Sequence, residues 1–134
     1  MATRARRPVV LCVDDEKPIL SALTRLLHRE PYDLVTTDDP EEALDRIRLG
    51  GVSLVLADYR MPGMSGTSFL QVIKAASPST VRIMLTGYPR DAWIRAAEEN
   101  GLMRVCTKPW DDADLKQLIR DELALASGEK KSGR

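Results

Sequence analysis

The sequence predicts one doubly wound α/β domain, and three observations lead to this fold class. The chain has 134 residues, the usual size of a single domain. Short apolar runs recur along it, and they alternate with segments whose apolar residues repeat at helical spacing. Strands that alternate with helices form a mostly parallel sheet with helices on both faces, because parallel neighbours need long crossover connections.

Five segments are predicted to be strands. Four are compact apolar runs without polar alternation, which is typical of strands buried on both faces. They cover residues 9–13, 52–57, 81–85 and 102–106. The run at residues 33–37 is weaker and more polar, so we expect it at an edge of the sheet.

Helical periodicity is clearest after the first strand and at the end of the chain. The repeating apolar residues are Ile19, Leu20, Leu23, Leu26 and Leu27 in the first helix, and Leu115, Leu118, Ile119 and Leu123 in the last. Asp39 and Pro40 suit the cap and first turn of a helix, with Glu42 as the capping-box residue. Gly50 and Asn100-Gly101 suit helix exits.

Composition indicates an ordinary soluble domain and no particular partner. Lys plus Arg equals Asp plus Glu, at 20 each. The basic start with Arg4, Arg6 and Arg7 lacks a recognition motif, and the apolar run that follows is too short for a signal peptide or a membrane span. We therefore expect a cytoplasmic protein without a nucleic-acid or membrane partner. Cys12 and Cys106 lie far apart in apolar runs and are expected to be reduced core thiols.

The residues that follow the predicted strands are unusual. Ligands of parallel sheets bind at the carboxyl ends of the strands, and these positions hold Asp14, Asp15, Asp58, Thr86 and Lys108. Three carboxylates at one edge repel each other unless a cation joins them. Oxygen ligands without His or Cys favour a hard ion, and a small carboxylate set that leaves room for water and phosphate favours Mg²⁺.

Asp58 is the predicted phosphoryl acceptor. A carboxylate beside Mg²⁺ can attack a phosphoryl group to form an acyl phosphate, while the metal and the Lys108 ammonium neutralise charge on the phosphoryl oxygens. Asp58 follows the central strand and precedes the Met61-Pro62-Gly63-Met64-Ser65-Gly66 loop, which can bring backbone close to a ligand. Asp14 and Asp15 are then left to hold the metal.

These motifs resemble the receiver domains of bacterial two-component response regulators. The matching segments are Val13-Asp14-Asp15-Glu16, Asp58 through Gly66, Thr86-Gly87 and Lys108-Pro109-Trp110, in the same order and spacing. The resemblance covers residues 8–126, with residues 1–7 and 127–134 as flexible ends. It implies a flavodoxin-like, five-stranded parallel sheet of order 2-1-3-4-5 with helices on both faces.

The resemblance also implies residue roles at the metal site. Asp58 would accept phosphate from a phosphohistidine of a sensor histidine kinase or a phosphotransfer protein. Asp15, Asp58 and the Arg60 backbone carbonyl would bind Mg²⁺ directly, and Asp14 would act through water.

Signal transmission would involve a second group of residues. The resemblance makes Thr86 the switch hydroxyl that turns toward the phosphoryl group and Lys108 its ion-pair partner, with a cis Lys108-Pro109 bond. The family usually has an aromatic residue three places before this lysine, but here that position is Val105. We therefore expect the activated state to be transmitted mainly through the loop after Thr86 and the helix that begins near Asp91. Arg60 and Tyr88 would flank the path of hydrolytic water and affect the lifetime of the phosphate.

Three function classes fit this edge of the sheet. The leading hypothesis is a phosphorylation-dependent signalling switch, not an enzyme beyond its own single-turnover phosphorylation and dephosphorylation. A phosphatase with an aspartyl phosphate would need a general acid two residues after the nucleophile, where this chain has Arg60. A phosphorylation-independent scaffold would be favoured only if an acidic or Lys position were lost. We also expect weak homodimerisation through residues 91–126, strengthened by phosphate. Two organisations stay open, a stand-alone receiver and the receiver part of a longer regulator, and the second is favoured.

Overall fold

The computed structural model describes residues 7–61, 63–88 and 90–128. The strands are β1 (Val9–Val13), β2 (Asp33–Thr37), β3 (Leu54–Asp58), β4 (Arg60–Met61), β5 (Met64–Ser65), β6 (Val81–Thr86) and β7 (Arg104–Thr107). The helices are α1 (Lys17–Leu27), α2 (Pro40–Leu49), α3 (Gly66–Ala76), α4 (Ala92–Glu99) and α5 (Asp112–Ala126). Among these described residues, none of the helices combines the length and apolar character needed to cross a membrane.

The main sheet has five parallel strands in the order β2-β1-β3-β6-β7. β6 and β7 are the fourth and fifth strands of this sheet along the chain, so the order is the predicted 2-1-3-4-5. The fold class is confirmed. β4 and β5 form a separate antiparallel pair between β3 and α3, which the sequence pattern did not predict. The last strand begins later than predicted, because Leu102 donates its backbone N–H to Ala97 at the end of α4 instead of joining the sheet.

Each face of the sheet has its own hydrophobic core. Leu11, Val13 and Val55 point to the face covered by α2, α3 and α4, where Phe69 and Ile94 are fully buried. The alternate strand residues point to the opposite face, where α1 and α5 supply Leu23 and Leu115, among others. Strands buried on both faces explain the continuous apolar runs in the sequence.

The helix ends largely follow the local signals. The Asp39 carboxylate accepts the N–H of Glu41 at the start of α2, and Gly50 ends this helix with a positive φ. The predicted capping-box role of Glu42 is wrong. Its carboxylate instead accepts a hydrogen bond from the Thr37 hydroxyl, and that hydroxyl accepts the Asp39 N–H at 3.1 Å.

Both ends of the described chain contact the fold. The Arg7 guanidinium pairs with Asp33 at 2.9 Å, and the backbone N–H groups of Ser127 and Gly128 bond back to the last turn of α5. The rest of the two predicted flexible ends lies outside the described residues. Of the two free cysteines, Cys12 is buried as predicted, whereas Cys106 is only partly buried.

Candidate functional site

The carboxyl ends of four neighbouring strands bring the predicted site residues together. Asp14 and Asp15 directly follow β1, while Asp58 and Thr86 are the last residues of β3 and β6. Lys108 follows β7, and its backbone N–H bonds to the Thr86 carbonyl at 2.7 Å. These side chains surround an open pocket, which is lined by Asp15, Glu16, Asp58, Tyr59, Arg60, Thr86, Gly87, Tyr88 and Lys108. Asp14 lies buried at its edge.

The three aspartates form a cluster that could hold a metal ion. One carboxylate oxygen from each of Asp14, Asp15 and Asp58 lies within 4.8 Å of the others. Oxygens that share a Mg²⁺ ion at its usual bond length lie at most about 4 Å apart, so only small shifts are needed. Asp14 is 1% exposed, and its Oδ2 has no hydrogen-bond partner among the described residues. A buried carboxylate oxygen without a partner fits a site that a cation completes.

Lys108 is the cation closest to this cluster in the described part of the chain. Its ammonium donates a hydrogen bond to Asp58 Oδ1 and lies 3.6 Å from Asp14 Oδ2. Burial alone would lower the pKa of Lys108, but the bond to Asp58 and the charge of Asp14 raise it above its ordinary value. Burial, with a contribution from the charge of Asp58, raises the pKa of Asp14 to about 6. One ammonium therefore does not compensate the clustered carboxylates.

Backbone N–H groups orient the two side chains expected to carry the chemistry and the switch. The Arg60 N–H donates to Asp58 Oδ2 at 3.1 Å, and the Tyr88 N–H donates to Thr86 Oγ1 at 2.9 Å. Thr86 is buried. Its hydroxyl is therefore turned toward its own loop in this structure, where it accepts the Tyr88 N–H. In both cases the N–H belongs to the residue two positions further along.

The side chains of Arg60 and Tyr88 contact each other across the pocket. The Arg60 guanidinium carbon lies 5.4 Å from the centroid of the Tyr88 ring, within the range of a cation–π contact. The resemblance to receiver domains predicts that both residues flank the path of water to Asp58. It gave no signal that they touch, because each belongs to a different loop.

Gly66 packs against the backbone that carries the acceptor. A Cβ at this position would lie 2.6 Å from the Asp58 carbonyl oxygen and 2.9 Å from the Tyr59 carbonyl oxygen. The Gly66 N–H also bonds to the Tyr59 carbonyl at 2.8 Å. The loop therefore brings the first residue of α3 against the backbone that carries Asp58. In the sequence, the only sign of this close approach was the spacing of Gly66 from Asp58.

Val105 lies in β7, opposite Met84 of β6. It is partly buried and packs against the core on the α4 face of the sheet. The exposed aromatic side chains of this region are instead Tyr88 and Trp93, at 58% and 53% exposure. Both lie between Thr86 and the first turns of α4.

Comparison with known proteins agrees with this geometry. The family model described as response regulator receiver domain matches residues 10–120. The solved signal receiver domain of an HD domain-containing protein from Pseudomonas fluorescens Pf-5 is 37% identical, with a TM-score of 0.86 over 96% of this chain and 95% of that chain.

Two curated relatives differ in length. Sporulation initiation phosphotransferase F of Bacillus subtilis is 28% identical, and the match covers 88% of this chain and 95% of that protein. The hydrogenase transcriptional regulatory protein HoxA of Cupriavidus necator is 34% identical over 116 residues, which are 86% of this chain but 24% of HoxA. The chain thus spans about a quarter of the HoxA proteins that it matches. With a family match over most of its length and an acidic cluster at the carboxyl edge of the parallel sheet, the chain belongs to the response regulator receiver domains, whose function is phosphorylation-dependent signalling.

Proposed function

We propose that Asp58 accepts a phosphoryl group from the phosphohistidine of a sensor histidine kinase or phosphotransfer protein in the cytoplasm. The observation that carries this proposal is the position of Asp58, whose two carboxylate oxygens are held by the Lys108 ammonium and the Arg60 N–H at the mouth of an open pocket. A carboxylate oxygen of Asp58 forms the bond to phosphorus as the phosphorus–nitrogen bond to histidine breaks. The electron pair of that bond leaves with the histidine nitrogen.

Magnesium is the cofactor that we assign to the acidic cluster. Asp15, Asp58 and the Arg60 carbonyl would bind it directly, with Asp14 acting through water. No described residue donates a hydrogen bond to Oδ2 of buried Asp14, which supports this assignment, because a hydrated cation would supply such a donor. When bound, Mg²⁺ neutralises charge on the phosphoryl oxygens.

The other residues serve the phosphorylated state. Lys108 compensates negative charge beside Asp58, and the Thr86 hydroxyl donates to the phosphoryl group once it turns from its own loop. The change reaches α4 through residues 87–91, since Val105 offers no aromatic ring to rotate. Arg60 and Tyr88 limit the access of water and thereby set the lifetime of the phosphate.

The chain acts as a switch and not as a turnover enzyme. A phosphatase of the aspartyl-phosphate type would place an acid two residues after Asp58, and Arg60 cannot supply a proton there because its guanidinium stays charged. Homodimerisation through residues 91–126 is the self-association that we propose. The exposed side chains of Trp93 and Leu125, at 53% and 49% exposure, support an interface on this part of the chain.

Intact-mass measurement after incubation with acetyl phosphate and Mg²⁺ tests this function. We expect one phosphoryl adduct on the wild type and on Asp38→Asn, which alters an exposed carboxylate outside the pocket, and no adduct on Asp58→Asn. An unmodified wild type would overturn the proposal. Continuous phosphate release from p-nitrophenyl phosphate would instead indicate a turnover enzyme.

A further inference from the structure

Two loops of the site share one local geometry and are joined by one contact. In each loop the reactive side chain accepts the N–H of the residue two positions later: Asp58 from Arg60, and Thr86 from Tyr88. The side chains of those later residues then meet, with the Arg60 guanidinium 5.4 Å from the Tyr88 ring. The contact therefore couples the acceptor loop to the loop that leads into α4.

We propose that phosphorylation of Asp58 moves the Arg60 guanidinium from the Tyr88 ring to the phosphoryl oxygens. The Arg60–Tyr88 contact is thus a latch that is closed in the unphosphorylated chain and opens when the acceptor is modified. This inference rests on the proposed phosphorylation of Asp58 and adds a route by which it is sensed.

The charges at the pocket give the reason for this movement. A phosphoryl group adds close to two negative charges and three strong acceptor oxygens at Asp58. Of the two cations that line the described pocket, Lys108 already faces both Asp58 and Asp14. Arg60 is the cation that remains, and its fork of N–H donors suits phosphate oxygens.

The contact that Arg60 gives up is the weaker of the two. The Tyr88 ring is more than half exposed, so its attraction for the guanidinium is reduced by solvent. A charge-assisted, bidentate bond between Arg and phosphate is stronger than an exposed cation–π contact. The Arg60 backbone is already held beside Asp58 by its N–H, so the exchange requires only side-chain rotation.

Opening the latch affects the start of α4. The Tyr88 carbonyl accepts the Asp91 N–H at 3.1 Å, and the Asp91 carboxylate caps α4 through the Trp93 N–H at 2.9 Å. A ring released from Arg60 is free to move together with this turn. Tyr88 thereby supplies the mobile aromatic side chain that position 105 lacks.

NMR of the full chain with beryllofluoride and Mg²⁺ tests the latch. In the free protein, the Arg60 side-chain protons should be shifted upfield by the Tyr88 ring current, and this shift should disappear when a protein-bound ¹⁹F signal appears. A bound ¹⁹F signal with unchanged Arg60 protons overturns the latch alone. The absence of any bound signal, together with no phosphoryl adduct by mass, overturns the proposed function as well.

Variants give an independent readout. In Arg60→Met, the bound ¹⁹F signal should weaken, because the guanidinium no longer contacts the phosphoryl analogue. At saturating beryllofluoride, the responses of the Tyr88 ring and the α4 amides should still be largely lost, and Arg60→Lys should restore part of them. Arg90→Met is the matched control, because it removes an exposed cation of the loop that carries Tyr88 and does not line the Asp58 pocket. A wild-type response of Tyr88 and α4 in Arg60→Met would overturn the proposal.

Discussion

The ammonium nitrogen of Lys108 lies 3.6 Å from Oδ2 of Asp14, a buried carboxylate oxygen without a hydrogen-bond partner among the described residues. The same ammonium also donates a hydrogen bond to Asp58. One positive charge therefore faces two buried carboxylates, and burial raises the pKa of Asp14 to about 6. The site stores unfavourable electrostatic free energy that a divalent cation would relieve.

The first prediction is that Asp14→Asn stabilises the metal-free chain at pH 7. The pKa of Asp14 rises from 3.8 to about 6 on folding, so the folded state binds more protons than the unfolded state between these values. Stability from this group is present below pH 4 and is lost as the pH rises to 6. The substitution should add about 2 kcal/mol to the free energy of unfolding at pH 7. Urea unfolding with EDTA measures it.

Added Mg²⁺ supplies the matched comparison. It should raise the urea midpoint of the wild type and of Asp38→Asn, but have little effect on Asp14→Asn. Equal stabilisation of all three chains by Mg²⁺ would show that the acidic cluster is not the metal site.

The second prediction concerns Lys108. Lys108→Met removes the ammonium bonded to Asp58 and should slow phosphorylation by acetyl phosphate about 10- to 100-fold, because charge on the transferred group is no longer compensated. Rates from intact mass, compared with those of Lys74→Met, which alters an exposed side chain of α3, provide the measurement. A rate within about twofold of the wild type would remove Lys108 from the reaction.

Gly66 gives the third prediction. A Cβ at Gly66 would clash with the backbone of Asp58 and Tyr59, so Gly66→Ala should lower the free energy of unfolding by about 1–3 kcal/mol and displace the acceptor. Gly87→Ala is the control, since no described atom lies within 4 Å of its added Cβ. Thermal unfolding should separate the two variants; if both are equally stable, the close approach does not constrain Asp58.

The fourth prediction concerns signal transmission past Val105. Beryllofluoride with Mg²⁺ should shift the amide resonances of residues 87, 88 and 90–95 strongly and those of β7 weakly, because Val105 is a compact side chain packed against the core. Val105→Ala should preserve the shifts of the loop. Shifts confined to β7 would place the signal on the strand instead of the loop.

The fold was predictable because its strands are buried on both faces. Runs such as Leu54–Asp58 have no polar alternation, and only a parallel sheet covered by helices accommodates several of them. The β4–β5 pair was not predictable, since strands of two residues have no periodicity. The Glu42 cap failed for a different reason: the nearby Thr37 hydroxyl accepts the Asp39 N–H in place of the Glu42 carboxylate and donates to that carboxylate instead.

The candidate site likewise has residues that the sequence predicts and contacts that it does not. Its carboxylates and Lys108 follow apolar strands, so the topology alone assembles them at one edge. The contacts of Arg60 with Tyr88 and of Gly66 with Asp58 join separate loops and depend on side-chain direction and close backbone packing. A linear pattern carries neither kind of information.

Chemical trapping of the modified residue tests the central claim most directly. An acyl phosphate on an aspartate is reduced by borohydride to homoserine, so peptide mass mapping after treatment with acetyl phosphate, Mg²⁺ and borohydride identifies the acceptor. We predict homoserine at position 58, abolished by EDTA. Homoserine at Asp14 or Asp15, or none at any position of a phosphorylated chain, would contradict the assignment of Asp58 as the phosphoryl acceptor.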